Sequence, residues 1–127
     1  MESGYLIDSN AIIDFCNGKL PAKGRELMFS IEQPNISIIT HIEIFGLSDI
    51  GEKEEKALKD FIAISSVYPV GMEVAEKTIE IRKKARVKLP DAIIAATALL
   101  HDFELITRNL TDFSKISALK VINPHTL

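Results

Sequence analysis

The feature that most constrains the fold of this chain is the alternation of short apolar runs with longer stretches of helical periodicity. Apolar runs of this length, bounded by polar or turn-forming residues, predict buried strands. Strands that alternate with helices favour a parallel sheet with helices packed on both faces. We therefore predict an α/β fold with a central parallel sheet of about five strands, near residues 5–8, 36–39, 67–69, 104–107 and 120–122.

The helical stretches follow from the spacing of their apolar residues. Helices are predicted at residues 10–17, 21–31 and 52–64. Farther along, Val74, Thr78, Ile81 and Ala85 form a stripe at helical spacing. Pro90 marks the start of a last long helix, since proline is favoured in the first helical turn.

The size of the chain fits one domain. At 127 residues, of which 46% are hydrophobic, it can bury a core without disulfides, and we expect a single domain over residues 1–127. The single cysteine, Cys16, excludes an intrachain disulfide and is expected to be a packing residue. No apolar run is long enough to cross a bilayer, and residues 1–4 lack the features of a signal peptide. We therefore expect a soluble, cytoplasmic protein without a membrane partner.

Asp91 is the most informative residue for function, because it opens a helix whose other residues are almost all small or apolar. A carboxylate there stabilises the positive end of the helix dipole, which would explain an isolated Pro-Asp pair. Three other acids occupy comparable positions. Asp8 closes the first apolar run, Glu43 comes soon after the second, and Asp112 follows the run near residues 104–107.

Each of these acids also has a purely structural explanation. Asp8 can act as a helix N-cap, Asp112 as a loop or cap carboxylate, and Glu43 as the N3 member of a capping box opened by Thr40. Ligands of doubly wound sheets bind beyond the carboxyl ends of the strands, where the strand order reverses. If the first and fourth strands flank that reversal, the four acids converge on one crevice.

Four carboxylates in one crevice repel one another, and a divalent cation relieves that repulsion. Mg²⁺ prefers oxygen ligands and retains waters, and Mn²⁺ suits the same ligands. The three histidines show no zinc-type spacing and are expected to be structural or exposed. A metal held by carboxylates can activate water and polarise a phosphodiester, so hydrolysis of a nucleic-acid backbone is the favoured chemistry. Walker, dinucleotide-binding and serine-hydrolase motifs are absent from the sequence.

The net charge of −3 argues against a protein that binds nucleic acid through charge alone. Basic residues are nevertheless concentrated just before Asp91, in a cationic strip made of Arg82, Lys83, Lys84, Arg86 and Lys88. A solvated helix end that complements the dipole and a surface that contacts phosphates explain this cationic strip equally well.

The order and spacing of several motifs carry a resemblance that covers nearly the whole chain. The most specific are Leu6-Ile7-Asp8-Ser9-Asn10-Ala11-Ile12-Ile13-Asp14, Leu89-Pro90-Asp91-Ala92-Ile93-Ile94-Ala95-Ala96-Thr97-Ala98 and Ile106-Thr107-Arg108-Asn109-Leu110-Thr111-Asp112-Phe113. The segment around Glu43, residues 39–46, is weaker alone. Together these motifs resemble the PIN-domain ribonucleases, especially the small toxins of the VapC type. Ser9 stands where threonine is common in that family, and residues 102–104 lack a glycine often found there.

The resemblance implies a three-layer PIN-like domain with an acidic metal site. Asp8 and Asp91 would be direct ligands of Mg²⁺, or of Mn²⁺ in its place, while Glu43 and Asp112 would act through metal-bound waters. The resemblance further implies endoribonuclease activity on RNA, a homodimer, and inhibition by a cognate antitoxin.

The supporting residues implied by the resemblance are polar. Asn10, Thr107 and Asn109 match positions that orient the acids or contact the scissile phosphate, although turn or cap chemistry explains Asn109 equally well. Arg108 would meet RNA or an acidic neighbour.

The leading interpretation is a metal-dependent endoribonuclease that serves as the toxin of a toxin–antitoxin pair. Three alternatives stay open at this point: a PIN-domain nuclease in RNA processing, a receiver-like Mg²⁺-binding regulatory domain, and a catalytically silent binding module. A receiver-like domain uses neighbouring acids after its first strand, where Asp8-Ser9-Asn10 supplies only one. The complete acidic set counts against a silent module.

Overall fold

The computed structural model describes residues 4–127, so residues 1–3, on which the signal-peptide expectation partly depends, lie outside the described residues. Five parallel strands form one sheet in the order β3-β2-β1-β4-β5. They are β1 Tyr5–Ile7, β2 Asn35–Ser37, β3 Ser66–Tyr68, β4 Glu104–Ile106 and β5 Val121–Ile122. The predicted α/β class and parallel sheet are therefore confirmed.

Helices connect the strands. Within the described residues they are α1 Ser9–Cys16, α2 Ala22–Ser30, α3 Ile38–Phe45, α4 Glu52–Ala63, α5 Met72–Lys84, α6 Leu89–Leu100 and α7 Leu110–Phe113. The helices predicted at residues 10–17, 21–31 and 52–64 correspond to α1, α2 and α4 within one residue at each end.

The core lies in two layers, one on each face of the sheet. Successive strand residues point to opposite faces, so Leu6 belongs to one apolar cluster and Ile7 to the other. Leu105 and Ile106 divide in the same way on β4. One cluster packs against α5 and α6, and the other packs against α1, α2, α3 and α4. The sheet therefore lies between two helical layers, as the alternating pattern predicted.

The strand order places the reversal between β1 and β4. Tyr5, Leu6 and Ile7 pair with Glu104, Leu105 and Ile106, while β2 lies on the other side of β1. The chain runs outward through β2 and β3 in one direction and through β4 and β5 in the other. The crevice expected beyond the first and fourth strands is therefore at the carboxyl ends of β1 and β4.

The second strand is shorter than the sequence predicts. Residues 36–39 were expected as strand, but β2 ends at Ser37, whose hydroxyl accepts a hydrogen bond from the backbone N–H of Ile39 at 3.0 Å. Ser37 is therefore the N-cap of α3, and the predicted cap, Thr40, is a fully buried residue inside the helix. The cap at Ser37 ends the strand although Ile38 and Ile39 favour β structure.

Two further sequence features are explained by the backbone and the packing. Asp102 has φ 54°, the left-handed conformation that a glycine adopts most easily. It therefore occupies the turn in which the family often has a glycine. Cys16 is a free, partly buried residue that packs beside α4, and burial raises the pKa of its thiol to about 11. None of the helices between residues 4 and 127 has the length and apolar character needed to cross a membrane.

Candidate active site

Asp8 lies at the carboxyl end of β1, where it is 6% exposed and forms the N-cap of α1. Its Oδ1 accepts a hydrogen bond from the backbone N–H of Ser9 at 2.9 Å. Its Oδ2 accepts two side-chain bonds, from Asn10 Nδ2 at 3.0 Å and from Thr107 Oγ1 at 2.9 Å. The predicted cap role is correct, but the cap alone does not explain the two side-chain donors.

Thr107, directly after β4, uses the full hydrogen-bonding capacity of its hydroxyl. Besides donating to Asp8, the oxygen accepts from Asn10 Nδ2 at 3.0 Å and from the backbone N–H of Asn109 at 3.1 Å. A hydroxyl has one donor and two acceptor positions, so none remains. Thr107 and Asn10 therefore fix the carboxylate of Asp8, which is one of the two roles that the resemblance implies for these residues.

Burial raises the pKa of Asp8 from 3.8 to about 6, with Thr107 and Ser9 opposing that rise through their hydrogen bonds. The charges of Glu43 and Asp91 raise the pKa further. These electrostatic effects place three of the four predicted acids in one neighbourhood.

Asp91 completes the acidic group from the start of α6. Lys88 is the N-cap, Pro90 lies in the first turn, and Asp91 follows at N3. Burial, and then the charges of Asp112 and Glu43, raise the pKa of Asp91, while Lys88 lowers it. Since α6 leads through a short turn into β4, its first turn lies at the carboxyl edge of the sheet.

Glu43 reaches the site from the exposed surface of α3. The predicted capping box with Thr40 is wrong because α3 begins at Ile38, which places Thr40 rather than Glu43 at N3. Glu43 Oε1 instead accepts a hydrogen bond from Ser9 Oγ at 2.5 Å. The hydroxyl of Ser9, which replaces the common threonine, is therefore engaged in orienting this acid.

Asp112 is held by Asn109 at the start of α7. Asn109 is the N-cap, its Oδ1 accepting from the backbone N–H of Asp112, and its Nδ2 donates to Asp112 Oδ2 at 3.0 Å. Asn109 is therefore a cap residue that also orients an acid of the site, which combines the two explanations given from sequence.

The donor set of the site consists of carboxylate oxygens, which suits a hard divalent cation. Two of the carboxyl groups, those of Asp8 and Asp91, have a pKa raised by burial and by neighbouring acids, and a bound cation would relieve that repulsion. Among the described residues, no three His, Cys, Asp or Glu side chains already form a group that could hold a metal ion. The carboxylate oxygens that are present fit a hard cation of the kind that is held by one or two carboxylates, with waters completing its shell.

Arg108 meets an acidic neighbour rather than open solvent alone. Its Nη1 donates to both carboxylate oxygens of Asp14, at 2.9 and 2.7 Å. His125 Nε2 lies 2.9 Å from Asp14 Oδ2. Sequence reasoning did not select Asp14 or His125. The available signal was the spacing of Asn10 and Asp14, which are four residues apart on α1 and so share a helix face with the site.

The cationic strip surrounds the end of α5 and the turn into α6. Arg82, Lys83, Lys84, Arg86 and Lys88 are all exposed, and most of this segment lines a surface groove. Three of them lie in the last turn of α5, where their charges complement the helix dipole. This agrees with the interpretation of the cationic strip as a solvated helix end. Lys88 also acts electrostatically on Asp91, which connects the cationic strip to the acidic site.

Comparison with known proteins gives the same architecture over nearly the whole chain. A family model described as PIN domain matches residues 5–119. The Ribonuclease VapC1 of Rickettsia felis is 28% identical, across 94% of this chain and 95% of that protein. A toxin-antitoxin complex from Klebsiella pneumoniae includes a chain with 31% identity and a TM-score of 0.77, covering 98% of this chain and 100% of that one. The DNA-bound VapBC from Salmonella typhimurium gives 26% identity and a TM-score of 0.78, covering 95% and 98%.

Proposed function

Since the chain belongs to the PIN-domain family, we propose that it is a metal-dependent endoribonuclease and the toxin of a toxin–antitoxin pair. The similarity to a protein named Ribonuclease VapC1 supports the ribonuclease activity, and the similarity to a chain of a toxin-antitoxin complex supports the toxin role over general RNA processing. Membership of this family also removes the receiver-like alternative.

The observation that carries the proposal is the arrangement around Asp8. A carboxylate with a raised pKa is held rigidly by Thr107 and Asn10 at the reversal of the strand order, and other acids act on it from two helices. A carboxylate that only caps a helix needs neither neighbouring acids nor side-chain donors that fix its oxygens. A site that holds a cation and positions a phosphodiester needs both.

The residues proposed to hold the cation are Asp8 and Asp91, with Glu43 and Asp112 acting through bound waters. Mg²⁺ is the proposed ion, because it prefers oxygen ligands and is held by few carboxylates and several waters, and Mn²⁺ suits the same oxygens. When bound, such a cation polarises a phosphodiester and lowers the pKa of a coordinated water.

The protein's own residues supply orientation and charge. Thr107 and Asn10 hold Asp8, Ser9 holds Glu43, and Asn109 holds Asp112, so each of these acids is fixed before RNA arrives. Fixing the reacting geometry in advance removes an entropy cost from the transition state. The cationic strip beside Asp91 is proposed to hold the RNA backbone through its phosphates.

The proposed partners follow from the same family. We expect a cognate protein antitoxin, a homodimeric toxin, and a cytoplasmic location where RNA and antitoxin are both present. A complete acidic set also distinguishes this chain from a silent binding module.

The proposal is tested with a circular single-stranded RNA, which an endonuclease opens and an exonuclease cannot attack. The purified protein should linearise the circle in Mg²⁺, stop when a chelator is added in excess, and resume when Mn²⁺ is supplied. Cleavage that continues unchanged in the chelator would contradict the metal dependence, and an intact circle under all these conditions would contradict the nuclease assignment.

A further inference from the structure

Asp14 is a buried carboxylate whose location is not explained by the acidic site itself. Its side chain is 6% exposed, and it lies on α1, six residues after the N-cap Asp8. Two basic groups meet it: Arg108 Nη1 at 2.7 Å and His125 Nε2 at 2.9 Å. A buried charge requires partners of this kind, because removing them leaves an uncompensated carboxylate in a poorly solvated place.

Arg108 lies between the two residues that orient the acids on this side of the site. Thr107 immediately before it donates to Asp8, and Asn109 immediately after it donates to Asp112. The backbone N–H of Arg108 donates to Asn10 Oδ1 at 3.1 Å, while Nδ2 of the same asparagine donates to Asp8. The path of residues 107–109 therefore decides where two of the four acids point.

These contacts attach that segment to α1 at two levels. Asn10 binds the backbone of Arg108 near the site, and Asp14, one turn farther along α1, binds its guanidinium. Asp8 and Asn10 hold the Thr107 hydroxyl and the Arg108 backbone, but neither of them touches the Arg108 side chain. Asp14 adds an attachment through that charged side chain, and charge-assisted hydrogen bonds are stronger than neutral ones.

We propose that Asp14 is a positioning residue of the nuclease site, which acts through Arg108 to hold residues 107–109 in the conformation that orients Asp8 and Asp112. This inference rests on the proposed function for its kinetic consequence. The side-chain hydrogen bonds of Asp14 go to Arg108 and His125 and to none of the four acids, so its effect on the acids passes through Arg108.

The first test compares Asp14→Asn with the wild type without metal and without RNA. The side-chain amides of Asn10 and Asn109 report the geometry directly, because one donates to Asp8 and Thr107 and the other donates to Asp112. Both amide resonances should move in nitrogen-edited NMR spectra of folded Asp14→Asn. Resonances that keep their wild-type positions would overturn the inference.

The second test is kinetic and uses a single-stranded RNA oligonucleotide with a fluorophore and a quencher. Asp14→Asn should lower kcat at least tenfold and leave KM within twofold. The double variant with Arg108→Gln should be no slower than the slower single variant, because the two residues act as one unit. A kcat within twofold of the wild type, or fully additive losses, would overturn the inference.

His125→Ala is the matched control. It removes the other partner of the same Asp14 oxygen, but His125 lies in the C-terminal segment and holds none of the four acids. This variant should melt at a lower temperature, keep kcat within twofold and leave both amide resonances in place. A loss of kcat equal to that of Asp14→Asn would assign Asp14 a general structural role and overturn the inference.

Two failures of the experiment stay distinguishable. If Asp14→Asn does not fold, Arg108→Gln carries the same comparison of amide resonances, since the Arg108 side chain is 55% exposed. If the wild type cleaves no RNA, the proposed function fails, while the spectra without metal still decide whether Asp14 sets the geometry.

Discussion

Thr107 shows how much one buried hydroxyl contributes to this site. It is fully buried, and its three hydrogen bonds connect Asp8, Asn10 and the backbone of Asn109. Valine has the same shape without a donor or an acceptor, so a valine here would leave buried polar atoms without their partner.

We therefore expect Thr107→Val to lower the free energy of unfolding by about 1–3 kcal/mol and to slow RNA cleavage at least tenfold. Thr97→Val is the matched control, because Thr97 is equally buried but its hydroxyl donates only to the backbone carbonyl of Ile93. The control should keep the cleavage rate of the wild type. Equal loss of rate in both variants, measured alongside urea unfolding, would assign Thr107 to general stability.

Asp8 predicts a particular dependence of stability on pH. Its pKa is about 6 in the folded protein and 3.8 in the reference state, so the folded state binds the proton more tightly. Stability from this group is present below the unfolded pKa and is lost as the pH rises through the folded one. Between pH 5 and pH 8 the metal-free protein should lose about 1 kcal/mol through Asp8.

The variant Asp8→Asn lacks this titrating carboxyl group. Its free energy of unfolding should therefore fall by about 1 kcal/mol less than that of the wild type between pH 5 and pH 8. Urea unfolding of both proteins without metal at the two pH values measures the difference. An identical pH dependence in the two proteins would contradict the raised pKa of Asp8.

Single residues also mark the limit of sequence reasoning at this site. The grouping of the four acids was predicted from their positions beside strand ends and helix starts, and the bonds of Asn10 and Thr107 to Asp8 agree with one of the two roles that the resemblance implied. The metal-binding and catalytic roles of the acids stay predictions. Asp14 was not selected, since its partners Arg108 and His125 are 94 and 111 positions away in sequence. A local motif carries no information about which basic side chain, distant in sequence, a buried acid contacts.

At the scale of elements, the strands and helices were largely predictable from apolar spacing. The boundary between β2 and α3 was the exception, because Ile38 and Ile39 extend an apolar run that reads as strand. Ser37 decides the boundary through one side-chain hydrogen bond to the backbone. The error moved the predicted cap to Thr40 and gave Glu43 a capping role that it does not have.

The end of α5 and the turn into α6 carry the cationic strip. Replacing Arg82, Lys83 and Arg86 by glutamine should weaken RNA binding and flatten its dependence on salt, because fewer counterions are released on binding. Binding of a single-stranded RNA to Asp91→Asn, with and without these substitutions, can be followed over a series of salt concentrations. An unchanged slope would leave the cationic strip as a solvated helix end.

At the scale of the whole molecule, the strand order brings the site together. Asp8 and Asp112 are far apart in sequence, but β1 and β4 are neighbours and their carboxyl ends open on the same crevice. From the sequence, the convergence of the acids could be stated only on the condition that the first and fourth strands flank the reversal, since the order of strands is set by how helices pack on both faces. The structure supplies that order, and the proposed chemistry depends on it.

The most direct test of the acidic site compares RNA cleavage by the wild type, Asp8→Asn and Asp91→Asn in Mg²⁺, with the fold of each checked by circular dichroism. Asp60→Asn removes one charge from an exposed acid on α4 and serves as the control. We predict that both site variants lose at least about 100-fold in rate, equivalent to roughly 3 kcal/mol of transition-state stabilisation, while Asp60→Asn keeps the wild-type rate. Folded Asp8→Asn and Asp91→Asn proteins that both cleave at the wild-type rate would contradict the assignment of these acids to the metal site.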